Sequence, residues 1–117
     1  MTIPLLIFAA ACGGALRFMA EYKLPPVGPH AFPRATLIVN IVGSFVLGIV
    51  TAVGGDTKTV IGVGLCGALT TFSGVSLQLH RRIMARSWIS TLVYLAVTVL
   101  GGICAAWVGL EVGKIIF

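Results

Sequence analysis

The sequence predicts an all-α membrane protein with four transmembrane helices and a break in the third. Of the 117 residues, 58% are hydrophobic and only 9% are charged, whereas soluble domains carry roughly 25% charged residues. The apolar residues fall into four long segments, and a membrane-spanning helix needs about 20 of them. We therefore expect residues 1–117 to form a single, multi-pass integral membrane domain in contact with lipid.

The first predicted span covers about residues 3–20. Gly13 and Gly14 give it a small face for close helix packing. Arg17 follows near its end, where it either reaches out to the membrane interface or helps to draw an anion into a vestibule. The sequence alone leaves both interpretations of Arg17 open.

The second predicted span, about residues 36–54, carries two polar side chains on one face. The residues before it include four of the five prolines and are expected to form a loop, because proline disrupts a helix. Asn40 and Ser44 are four residues apart and therefore lie one turn apart on the same face. A buried amide is costly unless it is paired, so Asn40 either bonds to a neighbouring helix or faces a polar pathway.

The third predicted span, about residues 59–79, contains the stretch least typical of a membrane helix. Glycine occupies positions 62, 64, 67 and 74, and hydroxyl groups surround Phe72 at Thr70, Thr71, Ser73 and Ser76. Glycine weakens a helix, and Ser and Thr side chains compete for backbone hydrogen bonds, so we expect a break at mid-membrane depth. Unwound backbone at that depth is tolerated only inside protein or beside a watery cavity. The stretch is therefore a candidate ion or substrate site.

The fourth predicted span, about residues 88–112, places Tyr94 and Thr98 on one face. Glu111 and Lys114, three residues apart, are expected to form a surface ion pair of little energetic weight.

The basic residues outnumber the acidic ones, with a formal net charge of +5. They concentrate in the first and third loops, which the positive-inside rule places in the cytoplasm. The two loops carry five basic residues, against two on the other side: Lys23, Arg34, Arg81, Arg82 and Arg86 against Lys58 and Lys114. This pattern is typical of membrane topology and not of a nucleic-acid surface.

The three acidic residues, Glu21, Asp56 and Glu111, lie at span ends or in a loop. This placement argues against a small multidrug antiporter, which needs a carboxylate in its first span, and against a carboxylate-lined cation pore. No nucleophile–base pair, metal motif or phosphate loop points to an enzyme. The neutral donors that remain in the spans suit an anion or a small polar solute.

Three stretches resemble the Fluc/CrcB family of fluoride channels: A-C-G-G-A-L-R-F at 11–18, T-L-I-V-N-I-V-G-S-F-V-L-G at 36–48 and G-L-C-G-A-L-T-T-F-S at 64–73. The resemblance covers nearly the whole chain. It implies a fluoride-selective channel subunit that exports cytoplasmic fluoride across the inner (plasma) membrane of a prokaryote by passive permeation. It also implies an antiparallel, dual-topology dimer with two pores and a central structural sodium ion.

The resemblance further implies roles for single residues. Phe72 would belong to an aromatic box whose electropositive ring edges hold fluoride, and Arg17 would close the first helix at the vestibule. Backbone carbonyls of Gly67 and Thr70 would hold the sodium ion. The remaining pore residues would be Asn40, Ser44, Thr71, Ser73, Tyr94 and Thr98.

The chain departs from the family pattern after Ser73. Gly74 and Val75 replace a Thr–Phe pair, and Gln78 stands where a glutamate is expected. A homodimer would therefore lack half of each aromatic box. Three assemblies stay open: a heterodimer with a paralogous subunit that supplies the phenylalanine, a functional homodimer, and a non-conducting partner subunit.

Overall fold

A computed structural model describes residues 2–24, 34–70 and 72–116, and all of the regular elements within these ranges are helical. Three of these helices are long and apolar enough to cross a membrane: α1 (Thr2–Lys23), α2 (Arg34–Val53) and α6 (Trp88–Ile116). The all-α class and membrane-length apolar helices are therefore confirmed. The proline-containing loop predicted between the first two spans lies largely outside the described residues, at 25–33.

The third predicted span folds as several shorter pieces. These pieces are α3 (Gly55–Thr57), a π-helix, π1 (Lys58–Cys66), α4 (Gly67–Leu69) and α5 (Phe72–Met84). The first three follow one another without interruption over 55–69, and Thr70 then adopts an extended conformation with φ −78° and ψ 156°. The nine-residue π-helix was not predicted from the sequence. Such wide turns are rare and frequently occur at functional sites.

At Thr70, where the helical stretch ends, both the backbone N–H and the side-chain hydroxyl donate hydrogen bonds to the preceding turn. Its backbone N–H donates to the Cys66 carbonyl at 2.9 Å, and its hydroxyl donates to the same carbonyl at 2.8 Å. A Thr hydroxyl that bonds to the carbonyl four residues earlier competes with the backbone and often bends a helix.

The turn between α2 and α3 is compressed into two glycines. Gly54 and Gly55 have φ values of 72° and 64°, a left-handed backbone that glycine adopts without a steric penalty. The chain therefore reverses directly at the end of α2, and π1 packs back against α2.

The most extensive helix–helix contact joins α2 and α6. Gly48 faces the Ala106 carbonyl, and Gly109 faces the Phe45 carbonyl, so closely that neither position has room for a Cβ. Small residues of this kind let membrane helices approach backbone to backbone.

The first helix covers the opposite side of π1 and α4. Gly13 packs against the Leu65 carbonyl, and a Cβ at Gly64 would lie only 2.9 Å from the Leu6 carbonyl oxygen. Gly14, by contrast, has open space beside it. Of the two glycines predicted to pack in α1, Gly13 does so.

Two features of α5 and α6 lie at the ends of these helices. The turn between them places Arg86 at φ 57°, while Ser87 N–H donates to the Arg82 carbonyl and Arg86 N–H to the Ile83 carbonyl, both at 3.0 Å. This bonding pattern satisfies carbonyls that the end of a helix leaves without partners.

Near the other end of α6, Lys114 Nζ lies 3.4 Å from Glu111 Oε1, which confirms the predicted ion pair.

Candidate functional site

A groove with a volume of about 530 Å³ lies between α2, the 62–70 stretch, α5 and α6. This size falls within the range of about 300–1,000 Å³ that is typical of small-molecule sites. Five of the lining residues carry polar side chains: Asn40, Ser44, Thr70, Ser76 and Thr98. None of the described residues that line the groove is acidic or basic.

The polar face predicted for α2 contributes one wall of the groove. Asn40 and Ser44 both line it, one turn apart, and Gly102 and Thr98 of α6 line it as well. A Cβ added at Gly102 would lie 3.6 Å from the Ser44 hydroxyl oxygen, so glycine leaves open space directly beside that hydroxyl. The structure thus brings two predicted pore residues of α2 together with one of α6.

The Thr98 hydroxyl is buried and makes no hydrogen bond of good geometry within the described parts of the chain, although the Tyr94 side chain lies close to it, one turn earlier on α6. Buried polar side chains are nearly always paired with protein or water, and an exception calls for an explanation such as an unseen bound species. Thr98 also lines the groove, so a rotation of its side chain would present the hydroxyl to a polar occupant.

The extended Thr70 is pressed against α2. Its Cγ2 methyl group occupies the space that a side chain at position 43 would take, and Gly43 leaves that space empty. The close contact and the two bonds to the Cys66 carbonyl hold Thr70 at the edge of the groove. Glycine at position 43 is therefore needed for this backbone path.

Gly67 and Thr70, whose carbonyls are the sodium ligands implied by the family resemblance, both lie at the edge of the groove. The last carbonyls of a helix have no intrahelical partner, and Gly67 and Thr70 border the groove where α4 ends. Within the described residues there is no cluster of three His, Cys, Asp or Glu side chains that could bind a metal.

Comparison with known proteins decides the family. Residues 4–110 match the family described as "CrcB-like protein, Camphor Resistance (CrcB)". This chain belongs to the CrcB family. The resemblance drawn from the three sequence stretches is thereby confirmed.

Several relatives match nearly the whole chain. The chain is 38% identical over 119 residues to "Fluoride-specific ion channel FluC 1" of Geobacillus kaustophilus, covering 97% of this chain and 100% of the relative. It is 37% identical over 110 residues to "Fluoride-specific ion channel FluC 2" of Corynebacterium diphtheriae, covering 94% and 99%. It is 32% identical over 121 residues to "Fluoride-specific ion channel FluC" of Stutzerimonas stutzeri, covering 94% and 98%. These relatives and the apolar helices identify a multi-pass membrane protein of the CrcB family.

Other residues assigned from the CrcB resemblance lie away from the groove or outside the described part. Arg17 is half-buried on α1 and does not line the groove. Thr71 lies outside the described residues, and the side chains of Phe72 and Ser73 lie outside the described side chains. Val75, for which the family resemblance implies a phenylalanine, is buried and lines the groove.

Tyr94 forms a buried contact beyond the end of the groove instead of lining it. Its side chain is fully buried, and the guanidinium carbon of Arg82 lies 5.5 Å from its ring centroid. Arg82 Nε donates a hydrogen bond to the Ser90 hydroxyl at 3.1 Å. The contact therefore joins α5 to the first two turns of α6.

The burial of Arg82 was not predicted from the sequence, because Arg82 belongs to a basic cluster that is typical of membrane topology. A signal was present in the spacing: Val75, Leu79 and Arg82 are separated by four and then three residues, which places all three on one helical face. Since Val75 and Leu79 face the interior, the same spacing directs Arg82 inward.

Proposed function

We propose that the protein is a fluoride-selective ion channel subunit that exports cytoplasmic fluoride by passive permeation along the groove. The observation that carries this proposal is the convergence of Asn40, Ser44 and Thr98 on a groove whose described lining has no charged side chain. Relatives that match nearly the whole chain are named fluoride-specific ion channels. In the proposal, the path is completed by Thr71, Phe72, Ser73 and Tyr94. Arg17 helps to draw fluoride into the vestibule of this path.

The chemistry of the groove suits a small, strongly hydrated anion. An ion that leaves water must recover its lost hydrogen bonds from the pore, and a selective pore lines its path with matching groups. Amide and hydroxyl hydrogens donate to fluoride, whereas a carboxylate would repel it. The Thr98 hydroxyl, which makes no hydrogen bond of good geometry among the described residues, would become such a donor if its side chain turned towards the ion.

The two helical pieces on either side of Thr70 together form the proposed third of four spans. The 55–69 stretch and the 13-residue α5 are each too short to cross a hydrocarbon core of about 30 Å. At about 1.5 Å per residue, each contributes roughly 20 Å. Joined through the extended Thr70, the two pieces are long enough for one span with a break inside the inner membrane of a prokaryote.

An antiparallel dimer would complete the proposed pathway. Gly67 and Ser76 line the groove and yet are exposed in the single chain, so a second subunit is needed to close this wall. The carbonyls of Gly67 and Thr70 would then hold a structural sodium ion close to the second subunit. The positive charge of this ion would lower the cost of an anion nearby.

Two forms of this dimer remain, and Val75 distinguishes them. Because Val75 lines the groove, a homodimer places valine where a ring edge would otherwise meet fluoride. A paralogous partner that carries phenylalanine there would supply the ring, in which case this chain alone would be a non-conducting subunit. Selective fluoride efflux from liposomes that contain this chain alone would overturn the obligate heterodimer.

The test of function is fluoride efflux from liposomes loaded with potassium fluoride, followed with a fluoride electrode, and chloride efflux as the selectivity control. Asn40→Leu is expected to abolish fluoride efflux while the protein keeps its elution volume in size-exclusion chromatography. Thr51→Val is the matched control, since the exposed Thr51 hydroxyl donates to the Leu47 carbonyl within its own helix. Efflux that is unchanged in Asn40→Leu, or that carries chloride equally well, would overturn the proposal.

A further inference from the structure

The end of α5 and the turn that follows it carry two exposed arginines, Arg81 and Arg86. We call residues 80–88 the basic turn. Neither guanidinium pairs with an acidic side chain in the described part of the chain, which includes all three acidic residues of the sequence. The ion pair of that part joins Lys114 to Glu111 instead. The two exposed charges are therefore free to attract an anion from outside the chain.

Arg86 has a backbone conformation that arginine rarely adopts. Its φ of 57° lies in the left-handed region, where helices commonly end on glycine because a side chain is disfavoured there. Backbone hydrogen bonds from the N–H groups of Arg86 and Ser87, both at 3.0 Å, hold this turn in place. A charged side chain thus occupies a position at which glycine would cost less, and residues under such a constraint are concentrated at functional sites.

The basic turn lies where the apolar span meets the headgroups. The membrane-length helix α6 begins at Trp88, within the basic turn. Trp88 and Met84 are 60% and 66% exposed, and tryptophan is enriched at the membrane–water interface. Met84 follows Arg81 by three residues, which places both on one side of α5. An exposed apolar side chain and an exposed guanidinium therefore lie side by side, as the acyl chain and headgroup of a lipid require.

We propose that the basic turn binds the headgroup of an anionic phospholipid. Arg81 and Arg86 hold the phosphate, and Met84 and Trp88 contact the acyl chain. Guanidinium groups match phosphate through paired hydrogen bonds, and basic clusters just outside a membrane span attract anionic lipids. In the described part of the chain, α5 packs chiefly against α6, which leaves its outer side open to lipid.

The preference for one class of lipid can be measured by tryptophan fluorescence, since brominated lipids quench a tryptophan that they contact. The chain has two tryptophans, so Trp107→Phe leaves Trp88 as the only reporter. In bilayers of phosphatidylglycerol and phosphatidylcholine with either lipid brominated, quenching gives the relative association constant of the two lipids near Trp88. It should favour phosphatidylglycerol by up to about fivefold per arginine, which is about 1 kcal/mol for each basic residue.

Removal of both charges, with Arg81→Gln and Arg86→Gln together, should bring the relative association constant to about one. Lys58→Gln is the matched control. Lys58 is also exposed but begins π1, at the far end of the proposed third span from the basic turn. Its replacement should therefore leave the lipid preference near Trp88 unchanged.

Arg86→Gly tests the inference even if the double variant fails to fold. Glycine adopts a φ of 57° without a steric penalty, so this variant should withstand a higher concentration of sodium dodecyl sulfate than the wild type. Its preference for phosphatidylglycerol should nevertheless fall by up to about fivefold. A role of Arg86 in the fold alone would lower stability and leave the lipid preference unchanged.

Three results would overturn the inference. The first is equal quenching of Trp88 by the two brominated lipids when both arginines are present. The second is a preference for phosphatidylglycerol that Arg86→Gly and the double variant retain. The third is an equal loss of preference in Lys58→Gln, which would indicate a general effect of surface charge. All three leave the proposed fluoride conduction untouched, since the lipid preference is measured without fluoride.

Discussion

Replacing Thr98 by valine should make the protein more stable and the channel slower. The change exchanges a hydroxyl for a methyl group of nearly the same volume. The Thr98 hydroxyl is buried and makes no hydrogen bond of good geometry among the described residues, although the Tyr94 side chain lies close to it; an unpaired buried hydroxyl costs about 1–3 kcal/mol. Thr98→Val should therefore raise the free energy of unfolding by about 1 kcal/mol, the lower end of that range, because Tyr94 partly compensates the hydroxyl.

The same substitution should reduce fluoride transport because the groove loses a donor. A hydrogen bond to a charged group contributes about 1.5–3 kcal/mol, and each 1.4 kcal/mol corresponds to about a tenfold change in an equilibrium constant. Fluoride efflux at concentrations below saturation should therefore fall about ten- to hundredfold. A rise in the free energy of unfolding together with a fall in fluoride efflux is expected of a side chain that binds the ion and does not stabilise the fold.

Thr91→Val supplies the control with the reversed pattern. The Thr91 hydroxyl is also on α6 but donates to the Ser87 carbonyl at 2.8 Å, so its loss should lower stability by about 0.5–1.5 kcal/mol and leave efflux unchanged. Stability would be measured by titration with sodium dodecyl sulfate in detergent micelles, and efflux with a fluoride electrode. If Thr98→Val destabilised the protein as Thr91→Val does, or left efflux at the wild-type rate, the assignment of Thr98 to the pathway would be wrong.

Two further substitutions probe the walls of the groove. Gly43→Ala would force a methyl group against the Thr70 side chain. Overpacking of this kind costs about 1–3 kcal/mol, so titration with sodium dodecyl sulfate should show a lower free energy of unfolding. Gly14→Ala, which meets open space, is the control and should not lower it. Equal stabilities would show that Thr70 moves aside freely. Val75→Phe in the chain alone should raise fluoride efflux several-fold over Val75→Leu. The reason is that position 75 lines the groove and the edge of a phenylalanine ring offers positive charge to the ion. If efflux in Val75→Phe is no higher than in Val75→Leu, a ring at this position does not promote fluoride conduction.

The helical class and the Asn40–Ser44 face could be predicted because both follow from local periodicity. A helix repeats every 3.6 residues, so residues four apart share a face whatever surrounds them. The hydroxyl competition expected in the third segment also acts locally, and it appears as the bond from Thr70 to the Cys66 carbonyl. Family membership followed from the three stretches of residues and required no structure.

The π-helix and the burial of Arg82 could not be predicted from local periodicity. The width of a helical turn over Lys58–Cys66 depends on neighbours on both sides, since α1 and α2 pack against π1. Arg82 was treated as a loop charge because membrane topology explains most basic clusters. Its burial depends on the Tyr94 ring, twelve residues away, and becomes visible only once α5 and α6 are packed together.

Local chemistry in the chain was thus sufficient to predict an apolar, helical CrcB-family protein and the donors that it carries. Packing decided which donors meet. It placed Asn40, Ser44 and Thr98 around one groove and put Tyr94 beneath an arginine beyond its end. The physical reason is that hydrophobicity and helix propensity act over neighbouring residues, whereas a site is defined by contacts between side chains that are distant in sequence.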